Sequence, residues 1–176
     1  AIDRATVADG ELLADYDQSV FVYDPDLSLH PGDIVHSRYF EISTYKVKPG
    51  HRSEFAELVK LYQKGYANMT SANWMTFESY YGSDNGGMYI AISKMTSLAE
   101  DDASMGDDKK FADAMGAAEM RKVRELTAAC VESHSTNLFA FNPKMSYVDD
   151  AWVKADPFWK PKAAPMAKKA AAPATP

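Results

Sequence analysis

The sequence predicts an α+β fold, an antiparallel sheet with two helices on one face, and three patterns support this prediction. Four short segments alternate apolar and polar residues, as half-buried strands do. Two longer segments repeat apolar residues at spacings of three and four, as amphipathic helices do. The segments follow in the order β-α-β-β-α-β, which places both crossover helices on the same side of a four-stranded sheet.

The elements of this unit can be assigned in order along the chain. The first strand, residues 38–47, is rich in aromatic and β-branched side chains, and a Lys48-Pro49-Gly50 break separates it from a helix at about 52–68. Residues 74–81 and 88–95 alternate as two strands of a hairpin, because the loop between them is rich in Gly, Asn and Asp.

The second half of the unit is predicted in the same way. An acidic start at Asp107 and Asp108 favours the N-terminus of a long helix, expected over residues 108–131. The last strand is expected over residues 135–141, where Asn142-Pro143 stops it.

These elements divide the chain into four parts. Residues 1–33 are expected to form a helix, a strand and a linker, and residues 34–147 the ferredoxin-like domain. Residues 148–160 form an aromatic arm, and residues 161–176 an Ala/Pro/Lys tail that we expect to be disordered. The aromatic residues of the arm, which we expect to act as an interaction surface, are Trp152, Phe158 and Trp159.

Composition excludes several classes of function. The chain has 176 residues, 46% of them apolar, and a net charge of -6, which disfavours binding to nucleic acid. No apolar run is long enough to span a membrane. The single cysteine, Cys130, excludes an internal disulfide. Because the chain begins with Ala1 and not with methionine, we expect a segment to have been removed, and export to the periplasm or the exterior is an open expectation.

Two segments of the chain are similar to each other. Residues 21–29 read FVYDPDLSL and residues 139–147 read FAFNPKMSY. Each has an aromatic strand end, an Asx-Pro stop and an apolar-Ser-apolar exit. Residues 1–29 therefore resemble the closing helix and strand of an earlier copy of the same unit, as in a tandem repeat. Chance likeness of two strand ends is the alternative.

A family resemblance follows from these motifs. Val47-x-Pro49-Gly50, followed by a helix that contains Phe55, resembles the opening of dimeric α+β barrel domains. Residues 21–33, 46–51 and 137–147 are similar to uncharacterised bacterial proteins with two such units. The resemblance implies that two sheets pack face to face into a barrel, either in a homo-oligomer or with a tandem repeat partner.

The resemblance also implies possible chemistry. Related proteins include cofactor-independent monooxygenases that act on quinols, and haem-binding proteins, with a pocket between the sheet and the helices. The haem proteins present a histidine from a helix, usually the second, and the predicted second helix contains none. No two histidines share metal-ligand spacing, so we expect no metal and no cofactor. His134 with Glu132 is the best acid-base candidate, although such a pair on a strand edge is usually exposed to solvent and has no catalytic role.

Aromatic side chains are the remaining signal. They are numerous on the predicted sheet and first helix, where they could line a pocket for a small aromatic ligand or form an interface between two sheets. The candidates for pocket or interface are Tyr39, Tyr45, Tyr62, Trp74, Phe77, Tyr80, Tyr81 and Tyr89.

Three functions are consistent with this sequence. The first is a non-catalytic, oligomer-forming α+β barrel protein that uses the sheet face and the aromatic arm as interaction surfaces. The second is a cofactor-independent monooxygenase acting on a phenolic or quinol-like substrate. The third is a structural protein that assembles into filaments through exposed strand edges. The residue pattern leaves open whether the chain is an enzyme.

Overall fold

The computed structural model describes residues 18–82 and 87–160, with isolated positions 7, 10, 12 and 14 before them. Most of the helix expected near the start, the tip of the hairpin loop and the expected disordered tail lie outside these residues. The chain forms two compact units that divide between Ala140 and Phe141.

The first unit contains five strands and three helices among its described residues. In chain order they are β1 (Val20–Leu29), β2 (Tyr39–Val47), α1 (Arg52–Tyr66), β3 (Trp74–Tyr81), β4 (Met88–Met95), α2 (Leu98–Ser104), α3 (Asp107–Cys130) and β5 (Val131–Ala140). The second unit contains α4 (Asp150–Ala155) and a 3-10 turn (Pro157–Trp159).

The five strands form one antiparallel sheet in the order β1-β3-β4-β2-β5. Without β1, this order is that of a β-α-β-β-α-β unit whose two central strands are its first and third. The structure confirms the α+β, ferredoxin-like fold class. Strand β1 adds a fifth strand beyond β3, antiparallel to it.

Strand β1 continues through the Asp24-Pro25 stop that the sequence predicted, and ends at Leu29. Proline is tolerated here because β1 is an edge strand, where a missing N–H donor breaks no ladder bond. The pairing with β3 shifts register between Asp24 and Leu29. In this bulge the Asp24 carboxylate accepts hydrogen bonds from the backbone N–H groups of Asp26 and Leu27.

The core lies between the helices and one face of the sheet. The sheet contributes Val47 and Tyr89 to it, and α1 and α3 supply most of the other side chains. The buried members are Leu27, Val47, Phe55, Leu58, Tyr89, Phe111, Met115, Val123 and Cys130.

Helix α3 differs from the predicted helix in two ways. It is interrupted at Gly116, whose φ of 73° is open to glycine but strained for other residues. It also runs directly into β5 at Val131, so that the strand begins four residues before the predicted start.

The start of α3 is fixed by a buried carboxylate. Asp107 accepts a hydrogen bond from the Ser71 hydroxyl at 2.7 Å and pairs with Lys110 at 2.6 Å. The Lys110 ammonium, followed by the Ser71 hydroxyl, lowers the pKa of Asp107 from its ordinary value near 3.8. The Asp107 carboxylate therefore stays negatively charged at the N-terminus of α3, where the helix dipole stabilises a negative charge.

The second unit is organised by its aromatic side chains. Trp159 is 1% exposed, and its ring lies 5.1 to 5.2 Å from the rings of Phe141, Trp152 and Phe158. Two aromatic residues of the predicted arm, Trp152 and Phe158, therefore both contact the third, Trp159. Across the part of the chain that the structure describes, no helix has the length and apolar character needed to cross a membrane.

Candidate functional site

A pocket of about 320 Å³ lies between α1 and the helix side of the sheet. Alternation along β2 directs Glu41, Ser43 and Tyr45 to this side, as it directs Trp74 and Thr76 in β3. Helix α1 closes the opposite wall with apolar and aromatic side chains. The lining includes Glu41, Ser43, Tyr45, Phe55, Leu58, Val59, Tyr62, Tyr66, Trp74, Thr76, Tyr89, Ala91 and Ser93, with Ile90 between them on β4.

Ring contacts hold the aromatic walls of the pocket in place. Phe55 packs between Tyr45 and Tyr89, with ring centroids 5.6 and 4.5 Å away. Tyr66 packs edge-on against Trp74 at 6.2 Å. Because these rings pack against one another, the pocket has an aromatic lining suited to a flat, apolar ligand.

Several polar groups of the pocket are already engaged. The Trp74 indole N–H and the Thr76 hydroxyl both donate to the backbone oxygen of Leu27, at 2.8 and 2.7 Å. The Ser43 and Thr136 hydroxyls share a hydrogen bond at 2.8 Å. These groups fix the position of the strands more than they offer contacts to a ligand.

Glu41 is the ionisable acid in the pocket lining. Burial, followed by the negative charge of Asp101, raises the pKa of Glu41 from its ordinary value near 4.5. Its contact with the Ser43 hydroxyl is long, at 3.5 Å. A ligand that donates a hydrogen bond would satisfy this carboxyl group better than Ser43 does.

The phenols of the pocket are neutral hydroxyls. Burial raises the pKa of Tyr45, Tyr62, Tyr66 and Tyr89 from the ordinary value of 10.0. The Tyr89 hydroxyl donates to Glu78 at 3.1 Å, and Glu78 also pairs with Arg52. A phenolate at neutral pH is therefore disfavoured in this pocket.

His134 and Glu132 have separate partners in the structure. Glu132 pairs with Lys46 of the neighbouring strand at 3.5 Å. His134 hydrogen-bonds to Thr136 at 3.0 Å, and its ring stacks on Tyr45 at 4.8 Å. Both residues lie exposed on β5. A catalytic role for the pair would require Glu132 to give up its ion pair with Lys46.

The eight predicted aromatic residues lie in different places. Tyr45, Tyr62, Trp74 and Tyr89 line the pocket. Phe77 lies on the opposite face of the sheet, where it pairs with Tyr23 and Ile90. Tyr39 begins β2 and does not line the pocket.

The last two of the eight, Tyr80 and Tyr81, lie at the end of β3, 68% and 67% exposed. The sequence interpretation missed Glu41 and Ser43. Their alternation with Tyr45 was the signal that could have found them.

The second candidate surface is the other side of the sheet, which we call the open face. Its side chains lie in register across the strands: Met75 pairs with Ile92, Ile92 with Ile42, and Phe40 stacks on Phe139 at 5.2 Å. None of them belongs to the buried cluster of the described residues. The apolar residues of the open face are Tyr23, Phe40, Ile42, Met75, Phe77, Ile90, Ile92 and Phe139.

Neither surface contains a metal-binding cluster. Over residues 18–82 and 87–160, no group of three or more His, Cys, Asp or Glu side chains is placed to hold an ion.

No protein-family model and no curated protein matches this chain. A solved structure of a proposed monooxygenase from Lactobacillus acidophilus is 13% identical, with a TM-score of 0.39, and covers 63% of this chain. The match spans 46% of that protein, less than half of its length.

Two further solved structures are similar. A NIPSNAP family protein of unknown function from Agrobacterium tumefaciens is 13% identical, with a TM-score of 0.38, and the match covers 64% of this chain and 94% of that one. An uncharacterised NIPSNAP-like domain protein from Burkholderia xenovorans is 16% identical, with a TM-score of 0.38, over 65% and 90%. For this chain, the strand order β5-β2-β4-β3 defines the ferredoxin-like α+β fold.

Proposed function

We propose that this protein acts by self-association and not by catalysis, with the open face of one copy packed against the open face of a second. The observation that carries the proposal is the row of eight registered apolar side chains outside the buried core. Tyr23 and Phe139 are 41% and 43% exposed, and the other six are half-buried. A contiguous apolar patch of this kind marks an interaction site, because its removal from water is favourable. A mainly apolar patch suits a two-fold interface, in which each copy offers the same surface.

The charges on the open face are compatible with burial. Alternation places Lys46 and Lys94 on this side of the sheet. Lys46 pairs with Glu132, and the Lys94 ammonium donates to the backbone oxygen of Asp33 at 2.8 Å. Burial of the apolar residues therefore leaves neither lysine without a partner, which reduces the desolvation cost but does not remove it.

A lysine in the middle of the open face is expected to weaken self-association strongly. Ile42 lies between Ile92 and Asn137, so Ile42→Lys would place an unpaired charge inside the interface. Such a charge costs about 2 kcal/mol or more, so the dissociation constant is expected to rise at least about 30-fold. Sedimentation velocity over a range of concentrations measures this change.

The matched control is Leu98→Lys, at the exposed start of α2, which is expected to associate like the unaltered protein. Circular dichroism establishes that both variants remain folded. If the unaltered protein sediments as a monomer at all concentrations, self-association through the open face is excluded.

The pocket supports a second candidate function, binding of a small phenolic or quinol-like ligand. Its volume of about 320 Å³ suits a ligand with one or two rings, and Glu41 could accept a hydrogen bond from the ligand hydroxyl. Oxygenation of such a ligand without a cofactor is the reaction that the sequence resemblance implies.

Hydroquinone or 1,4-dihydroxynaphthalene is expected to change the fluorescence of Trp74 in a saturable way. Ala91→Phe would fill the pocket from β4 and is expected to weaken binding at least about tenfold, whereas the exposed Tyr80→Ala is expected to have no effect. Trp74→Phe identifies which tryptophan gives the signal. Oxygen uptake separates a monooxygenase from a binding protein, and the lack of any saturable signal contradicts both.

A further inference from the structure

The likeness between residues 21–29 and 139–147 extends to their hydrogen bonds. In the first segment, the Asp24 carboxylate accepts from the N–H of Asp26 at 2.9 Å, and the Ser28 hydroxyl donates to the backbone oxygen of Asp24 at 2.7 Å. In the second, the Asn142 side chain accepts from the N–H of Lys144 at 3.1 Å, and the Ser146 hydroxyl donates to the backbone oxygen of Asn142 at 2.9 Å. These two bonds recur at the same spacings, so the two segments share a turn motif around their Asx residue.

The two turns differ in what they bind. The first is docked on β3, where Trp74 and Thr76 donate to the backbone oxygen of Leu27. The backbone N–H of Thr76 also donates to the Ser28 hydroxyl oxygen, at 2.9 Å. Leu27 is only 5% exposed in this arrangement.

The second turn leaves the equivalent side chains in water. Met145, which corresponds to Leu27, is 76% exposed, and Tyr147, which corresponds to Leu29, is 103% exposed. Phe139 is 43% exposed, whereas its counterpart Phe21 is half-buried; Leu138, at 51%, is exposed about as much as its counterpart Val20, at 47%. This segment therefore has the form of a strand and turn that bind a β3 edge, but with that edge missing.

Strand β5 also lacks the features that protect an edge strand. It ends the sheet, and its pairing with β2 runs without a shift from Ser133 to Ala140. This stretch contains neither proline nor an acidic or basic side chain other than His134. Strand β1, at the other edge, has both a proline and register shifts. An unprotected edge is a template for another strand.

We propose that β5 and the turn after it bind the β3 edge of a second copy of this chain, in exchange for that copy's β1. The proposal rests on the self-association proposed above and assigns its strand partners. Alignment of Phe139 with Phe21 places Leu138 opposite Tyr81 of the second copy, and Phe139 opposite its Ser79. The Trp74 and Thr76 donors of the second copy would then bind the backbone oxygen of Met145.

When each of two copies exchanges a strand with the other, the result is a closed dimer. Each chain loses one β1–β3 pairing and gains one β5–β3 pairing, so the number of strand pairings is unchanged, although β1 is left unpaired. Met145 and Tyr147 take the places of Leu27 and Leu29 against β3, so the net gain comes from the open faces, which the two joined sheets enclose. Because β1 must first leave Trp74 and Thr76, exchange is slow in the folded protein and is favoured by refolding at high concentration.

Disulfide trapping in the full chain tests this arrangement. Leu138→Cys and Tyr81→Cys place two exposed thiols on strands separated by two others, at least about 14 Å apart within one chain. A disulfide requires Cα atoms within about 7 Å, so this pair can form only between chains. The native Cys130 is buried, and oxidation is begun only after refolding under reducing conditions. The expected result is a covalent dimer whose yield rises with the concentration during refolding.

The matched control is Val20→Cys with Tyr81→Cys. This pair detects the pairing of β1 with β3 of the same chain, because Val20 and Tyr81 pair in register. Its disulfide within one chain is expected to decrease as the dimer yield increases. A ladder of larger species linked through the same two positions also supports the exchange, in an open-ended form.

Two outcomes overturn the proposal in distinguishable ways. If the unaltered protein dimerises but positions 138 and 81 do not crosslink, the strand exchange is wrong and association through the open face stands. If the unaltered protein stays monomeric at every concentration after refolding, both proposals fail.

Discussion

Replacing Phe55 with alanine is expected to lower the free energy of unfolding by about 3–5 kcal/mol. Phe55 is 3% exposed and lies between Tyr45 and Tyr89. Its removal leaves a void that these rings cannot fill, because β2 and β4 hold them in the sheet. Urea denaturation followed by circular dichroism measures the loss.

Tyr80→Ala provides the comparison for this variant. Tyr80 is 68% exposed, so its truncation is expected to change the free energy of unfolding by less than about 0.5 kcal/mol. A loss below about 1 kcal/mol for Phe55→Ala would show that the space between α1 and the sheet collapses readily. The aromatic wall of the pocket would then not be rigid.

Gly65→Ala is expected to destabilise the protein by about 1–3 kcal/mol, although alanine is the better helix former by about 1 kcal/mol. A Cβ atom at Gly65 would lie 2.2 and 2.5 Å from two ring carbons of Phe111, and 3.1 Å from a side-chain carbon of Met115. The close approach of α1 and α3 therefore requires glycine. Thermal and urea denaturation of the variant measure the net effect.

A double-mutant cycle tests the cause of this effect. In a Phe111→Leu background the ring that blocks the new methyl group is gone, so Gly65→Ala is expected to cost less there than in the unaltered protein. An equal cost in both backgrounds would show that the clash with Phe111 is not responsible. A stabilised single variant would mean that the two helices can separate without loss.

The sequence predicted the strands and helices of the domain better than it predicted which strands pair with each other. Alternation and helical spacing identify a strand or helix locally, and the β-α-β-β-α-β order then constrains the sheet. The same pattern does not say that β1 pairs with β3, because that pairing depends on Trp74 and Thr76 binding the distant Leu27. The break at Gly116 was missed because a single glycine is tolerated within a helical pattern.

The sequence predicted the pocket in part, for a related reason. Bulky aromatic residues such as Tyr45 and Trp74 stand out in composition, whereas Glu41 looks like any surface acid until β2 is placed beneath α1. The contacts of Glu132 were unpredictable because its partner, Lys46, lies on another strand. Neighbours across strands determine the environment of a charged group, and spacing along one strand does not reveal them.

The direct passage from α3 into β5 places a cysteine at a junction whose transient opening can be measured. Cys130 is the last residue of the helix and is fully buried, and burial raises the pKa of its thiol. Its backbone oxygen accepts from the N–H of Lys48 at 2.8 Å, so the helix end is tied to the end of β2. An alkylating reagent can reach this sulfur only when that junction opens transiently. The labelling rate therefore measures how often the junction opens while the rest of the protein stays folded.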